Sequence, residues 1–251
     1  MKSSIYQPRL HFPAVRGIIE RRLLINFRCE PEVLERLLPS PFRPKLVSGW
    51  GMAGICLVRL SGTVPTFLPM VCGHTSENAA HRIAVEWEGG EGVFIPRRDT
   101  NALVNRLAGG RIFSGSQQAA DFKGMETKER FEVEMRARDG GAFVRVKTRV
   151  TDAFPESSVF GSLATASEFF KNGSLGWSAR VEAGEFEGME LRCQEWRMEP
   201  LAVEAVESSF FGNEELFPAD SAIFDSALLM RNIAHEWHAR GRLKVREEVL
   251  I

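Results

Sequence analysis

Three observations predict an α+β fold built on one large, mainly antiparallel sheet that is curled or closed on itself. Alternating apolar and polar segments recur along most of the chain, glycines and prolines punctuate them at turn positions, and only a few short stretches carry helical spacing with a cap. No fixed-period repeat or low-complexity linker divides the sequence, so residues 1–251 read as a single domain. With 44% hydrophobic residues the chain has material for one large core.

The elements follow in order. "RLLINFRC" (22–29) reads as a strand, and "EPEVLERLLPSPF" as a short helix with Pro31 in its first turn and prolines at its end. "GWGMAGICLVRLSG" is apolar and glycine-spaced, which suits a strand at a bend or a close backbone approach. "GHTSENAAHRIAVEW" (73–87) reads as a loop entering the strand "IAVEW". In "GVFIPRRDTN" (92–101) the apolar run is a strand end stopped by Pro96, and "DTNALVNRLAGG" reads as a capped helix stopped by Gly109. "RFEVEMRARDGGAFVRVKTRVTD" is a hairpin. With Gly140 and Gly141 as its loop, Glu134 faces Lys147, Glu132 faces Arg149, and Arg136 is left opposite Arg145. "SLATASEFFKNG" is a second helix capped by Ser162, and alternating segments resume after it.

Bulk charge excludes some partners. Lys and Arg number 32 against 33 Asp and Glu, a net charge of -1, so no overall field draws the chain to nucleic acid or to an anionic membrane. No window approaches the roughly 18 apolar residues of a spanning helix, and no apolar segment follows Lys2, so a cytoplasmic protein is expected. Cys29, Cys56, Cys72 and Cys193 are widely separated and read as reduced core thiols. Arginine far outnumbers lysine. The residues able to form an imine are Lys2, Lys45, Lys123, Lys128, Lys147, Lys171 and Lys244, and Lys147 is better explained as a cross-strand partner.

The signatures of serine hydrolases, P-loops, dinucleotide folds and zinc proteases are absent. "HEWH" (235–238) spaces two histidines without a third ligand, so no metal and no other cofactor is expected. Glu77, His81 and Arg82 cluster at the start of "IAVEW". Glu77 and His81 could move a proton, or the segment could be a turn held by a capping glutamate and a surface ion pair. Arg97 and Arg98 could form an anion site at a strand-to-helix junction, or Asp99 could already neutralise one of them.

Across most of its length the chain resembles the acetoacetate decarboxylase-like superfamily, in a bacterial branch without the Schiff-base lysine. The resemblance rests on "INFRCEPEVLERLLPSPFRP", "HTSENAAHRIAV" and "FIPRRDT" in that order. It implies a curled double-layer β-structure around a central cavity, with at least a dimer as the assembly. It places Glu77 on the family's active-site glutamate, Arg97 on the Schiff-base lysine and Arg98 on the neighbouring lysine. A guanidinium stays protonated and its nitrogens are poor nucleophiles, so imine chemistry is not expected at Arg97. The resulting expectation is a protein that acts on, or only binds, a small anionic metabolite of the carboxylate or keto-acid kind. Arg97, Arg98 and Arg82 would hold the anion, with Glu77 and His81 as acid and base. A structural reading, with the arginine pair locked by Glu77 and Asp99, stands beside these two.

Overall fold

The computed structural model of the chain describes residues 4–7, 14–70, 73–103, 106, 115–179 and 184–245. Most of them lie in fourteen strands: β1 (Ser4–Gln7), β2 (Val15–Cys29), β3 (Arg43–Pro44), β4 (Leu46–Val47), β5 (Trp50–Pro65), β6 (His74–Trp87), β7 (Gly90–Thr100), β8 (Gln118–Glu126), β9 (Arg130–Ala137), β10 (Phe143–Val150), β11 (Leu175–Ala179), β12 (Glu185–Cys193), β13 (Glu199–Ser208) and β14 (Ala222–Val245). They form one sheet in the order β12-β11-β7-β8-β9-β10-β13-β14-β2-β5-β6-β3, with β1 on β14 and β4 on β5. Because β12 also pairs β14, and β6 also pairs β7, the sheet closes on itself as the alternation predicts. All pairings are antiparallel except β11 with β7 and β7 with β8.

Among the described residues two helices have full definition. In α1 (Pro31–Leu37) the proline occupies a first-turn position whose amide has no helical partner, and Val33 and Leu34 are buried. In α2 (Leu163–Asn172) the Ser162 hydroxyl accepts from the Thr165 amide at 3.1 Å, the expected cap, and Ala166 and Phe170 face inward. No helix among the described residues is long and apolar enough to cross a membrane.

Strand alternation sends side chains into two cores. On one face Leu23, Ile25, Ile55, Leu57, Ile83, Val85 and Phe94 pack with Val133, Met135 and Val144. On the other, Leu24, Met52, Cys56, Ala84, Leu191 and Leu228 pack against Phe160, Ala166 and Phe170. The central strands β2, β5 and β6 are therefore buried on both sides, which is why their sequences run so apolar. Gly54 allows a close approach between β2 and β5: a Cβ there would collide with the Ile25 carbonyl oxygen.

Three local expectations are corrected. The hairpin register is shifted by two residues, with Arg145 opposite Glu134, Lys147 opposite Glu132 and Arg136 opposite Phe143. The shift keeps every side chain on its predicted face and removes the Arg136–Arg145 clash: Arg136 instead lies over the Phe143 ring at 4.6 Å, and Lys147 pairs with Glu132 at 2.9 Å. Residues 74–82 are strand, since their backbone pairs with β5. Asp99 and Thr100 belong to β7, where Asp99 is bound by Arg97; the Thr100 hydroxyl accepts from the Ala102 amide at 3.1 Å, and much of the helix expected after them lies outside the described residues. "HEWH" lies in β14, where the odd spacing of His235 and His238 puts them on opposite faces.

Candidate functional site

The fate of "PRRD" is decided by one extra residue. In the β6–β7 pairing His81 stands opposite Arg97 but Ile83 stands opposite Phe94, so three steps along β7 match two along β6. Such a bulge leaves one residue without a ladder partner, a place where proline's missing amide costs little. Pro96 therefore does not stop the strand. The bulge also reverses the alternation: Val93, Ile95 and Arg98 line one cavity, while Arg97 points away from it.

That cavity, of about 90 Å³, lies on the α2 side of the sheet. Ile19 and Arg22 of β2, Cys56 and Val58 of β5, and Ala80 and Arg82 of β6 face into it, and Gly176, Leu191 and Trp237 complete the far wall. Three guanidinium groups thus converge from β2, β6 and β7. Arg82 is 7% exposed; it donates to Asn26 Oδ1 at 2.5 Å and lies 4.7 Å from the Phe170 ring centroid, while its Nε has no hydrogen-bond partner. Arg98 donates to Ser178 Oγ at 3.2 Å. Burial lowers the pKa of both Arg82 and Arg98 to about 10, so both remain cationic at neutral pH. Arg22 donates to two sulfurs, Cys56 Sγ and Met230 Sδ, each at 3.4 Å, and lies 5.8 Å from the Trp196 ring centroid. Among the described residues, neither Arg22 nor Arg82 has a carboxylate at salt-bridge distance. Asp99 reaches the cavity edge, but its carboxylate is taken by Arg97.

The other expected site residues lie across the sheet. Arg97 binds Asp99 through Nε and Nη2 and reaches Asp139 at 2.8 Å. Burial works against its charge, yet these hydrogen bonds outweigh it and hold the pKa above the ordinary arginine value. His81 is fully buried opposite Arg97 and 4.9 Å from the Phe210 ring, with neither ring nitrogen hydrogen-bonded. Burial, helped by Arg97, pushes its pKa down to about 4, which keeps the imidazole neutral. Glu77 stands in a ring of four charges: Arg21 at 2.5 Å, Arg59 at 2.6 Å, and Glu126, which closes the ring at 3.0 Å to Arg21 and 3.2 Å to Arg59. This quartet ties β2, β5, β6 and the end of β8 together. Glu77, His81 and Arg97 are thus separated from Arg82 and Arg98 by the thickness of the sheet, and the five residues do not assemble around one space.

Arg22 and Cys56 were not singled out by the sequence reading, although one signal was available. Arg21 and Arg22 are adjacent on a strand, so they must point to opposite faces, and pairing Leu24 with Cys56 puts Arg22 on the face of Cys56. The described residues that line the cavity include no lysine. They also hold no group of three or more His, Cys, Asp or Glu that could bind a metal.

No family model and no curated protein matches the sequence. Solved structures do match in fold. Acetoacetate decarboxylase from Legionella pneumophila is 12% identical over 98% of this chain and 93% of its own, with a TM-score of 0.59. An acetoacetate decarboxylase-like enzyme from Sphingomonas wittichii RW1 is 16% identical over 94% of each chain, TM-score 0.59. The enduracididine biosynthesis enzyme MppR, in complex with pyruvate, is 11% identical over 94% of this chain and 91% of its own, TM-score 0.61. The closed sheet of this protein is therefore the fold seen in acetoacetate decarboxylase-like proteins.

Proposed function

We propose that this chain binds a small carboxylate, of the keto-acid kind, in the cavity between β2, β5, β6 and β7, and that it does so without forming an imine. One observation carries the reading. Three arginines meet in a largely apolar space, and two of them are left without a carboxylate partner among the described residues. A buried cation with no counter-charge is costly, and a bound carboxylate would offset that cost through charge-assisted hydrogen bonds. The walls of Ile19, Val58, Val93, Ile95 and Leu191 suit a short aliphatic tail. The volume, about 90 Å³, is below the roughly 150 Å³ of an apolar cavity that accepts benzene, so acids of a few carbons fit best. That MppR was solved with pyruvate agrees with this size and charge. The lack of a lysine among the described lining residues argues against a Schiff base. Glu77 and His81 face away from the cavity, so binding is favoured over acid–base turnover.

A thermal-shift panel of short 2-keto and 3-keto acids tests the proposal. A ligand at a hundred times its Kd adds about 2.7 kcal/mol to the folded state, or roughly 5 to 10 °C for a chain of this size. In Arg82→Met the shift should vanish, beyond whatever lowering of the unliganded melting temperature follows from leaving the buried Asn26 Oδ1 without its donor. Borohydride added with a 3-keto acid should leave the protein mass unchanged. The reading fails if no acid shifts the melting temperature, or if an adduct is trapped on a lysine.

A further inference from the structure

We propose that Cys56 is a nucleophilic thiol within this cavity, directed at small carboxylates whose carbon next to the carboxyl group is electrophilic, such as 2-keto and 2-halo acids. The inference rests on the anion-binding reading above and adds a chemical function to it. Cys56 lies mid-strand in β5, on the face that carries Val58 and Leu60 into the cavity. Its neighbour across β6 is Ala80, a small residue that also lines the cavity. Arg22 Nε donates to its sulfur at 3.4 Å, and a charge on that sulfur would also favour the protonated forms of both Arg82 and Arg98. One thiol thus sits among three guanidinium groups, the electropositive setting in which cysteines act as nucleophiles. Arg82, 7% exposed and with its Nε lacking a partner, supplies a donor for the carboxylate of such a ligand.

The other described thiols differ. Cys29 is buried, does not line the cavity, and burial raises its pKa to about 12. Cys193 lies outside the cavity, with its pKa also raised by burial. With a 2-keto acid the chemistry is an addition. The sulfur bonds to the carbonyl carbon, the π electrons of the C=O bond move to oxygen, and the thiol proton ends on that oxygen. The product is a thiohemiketal, nothing leaves, and no redox partner is needed. With a 2-halo acid the S–C bond forms as the carbon–halogen bond breaks, halide departs and the thiol proton passes to water.

Iodoacetate and iodoacetamide, nearly equal in size and different in charge, test this on the intact chain. Alkylation is followed by intact mass and peptide mapping, with glutathione as the reference thiol. The iodoacetate-to-iodoacetamide rate ratio at Cys56 should exceed that of glutathione by about tenfold or more, the low end of electrostatic focusing in a charged cleft. Propionate, which binds without reacting, should protect Cys56. Arg22→Met and, separately, Arg98→Met should return the ratio toward that of glutathione, and either variant that folds is sufficient. An unmodified Cys56, or a ratio equal to that of glutathione, overturns the inference. If propionate raises the melting temperature of a protein whose Cys56 resists iodoacetate, only the thiol assignment fails. If propionate neither stabilises nor protects, the cavity reading fails with it.

Discussion

Replacing His81 by leucine removes a ring that is fully buried, lies against Phe210 and makes no hydrogen bond, so no paired polar group is lost. At pH 7 the variant should be as stable as the parent to within about 1.5 kcal/mol, the usual cost of a size-matched core change. The difference emerges on acidification. The folded-state pKa of His81 is lowered from 6.5 to about 4, so the unfolded chain takes up the proton first. Stability from this group is intact above 6.5, is lost as pH falls, and the loss levels off below about 4. At 1.36 kcal/mol per pH unit the full loss is about 3 kcal/mol, of which about 2 falls between pH 7 and pH 5. His235 is buried with its pKa likewise lowered to about 4 and adds a similar loss. Urea unfolding from pH 7.5 to 4.5 should therefore give a curve for His81→Leu that is flatter than the parent's by about 2 kcal/mol at pH 5. Parallel curves would refute the argument, because they would mean that His81 titrates alike in both states.

Two further predictions separate structural charge from binding charge. Arg97→Met strands Asp99, which is 1% exposed, and should cost about 3 kcal/mol, while leaving the stabilisation by a carboxylate intact; Arg98→Met should abolish that stabilisation, as thermal melts with and without ligand will show. Glu77→Gln leaves the buried Arg21 with Glu126 alone and should lower stability by about 3 kcal/mol in chemical denaturation, again without loss of the ligand shift.

The fold class was readable because it rests on short-range signals: period-two alternation, the Ser162 cap, the proline at the start of α1. The hairpin carried its own warning, since the tightest glycine turn put Arg136 against Arg145, and a turn two residues longer is what the charges require. The site was harder to read for a geometric reason. It is assembled from β2, the consecutive strands β5, β6 and β7, and the distant β11, β12 and β14, and which side chains share it depends on which face each strand presents. Glu77, His81 and Arg82 sit close together in the sequence, yet the alternation of β6 sends Arg82 one way and the other two the opposite way. The bulge beside Pro96 then inverts the parity of β7, and no local pattern in "FIPRRDT" announces it. Arg22 had a readable partner in Cys56, but only through a pairing register that spans 34 residues.

The bulge has a consequence for how such a site can change. Because the pairing passes from His81–Arg97 to Ile83–Phe94 across one extra residue, removing Pro96 would leave a regular ladder, with Arg97 still on the Asp139 side and Arg98 still in the cavity. Closing the bulge at constant length would instead turn every residue beyond it to the other face, so that Arg97 entered the cavity and Arg98 left it. Which arginine meets the cavity is therefore set by whether one extra residue is absorbed, as much by counting as by composition.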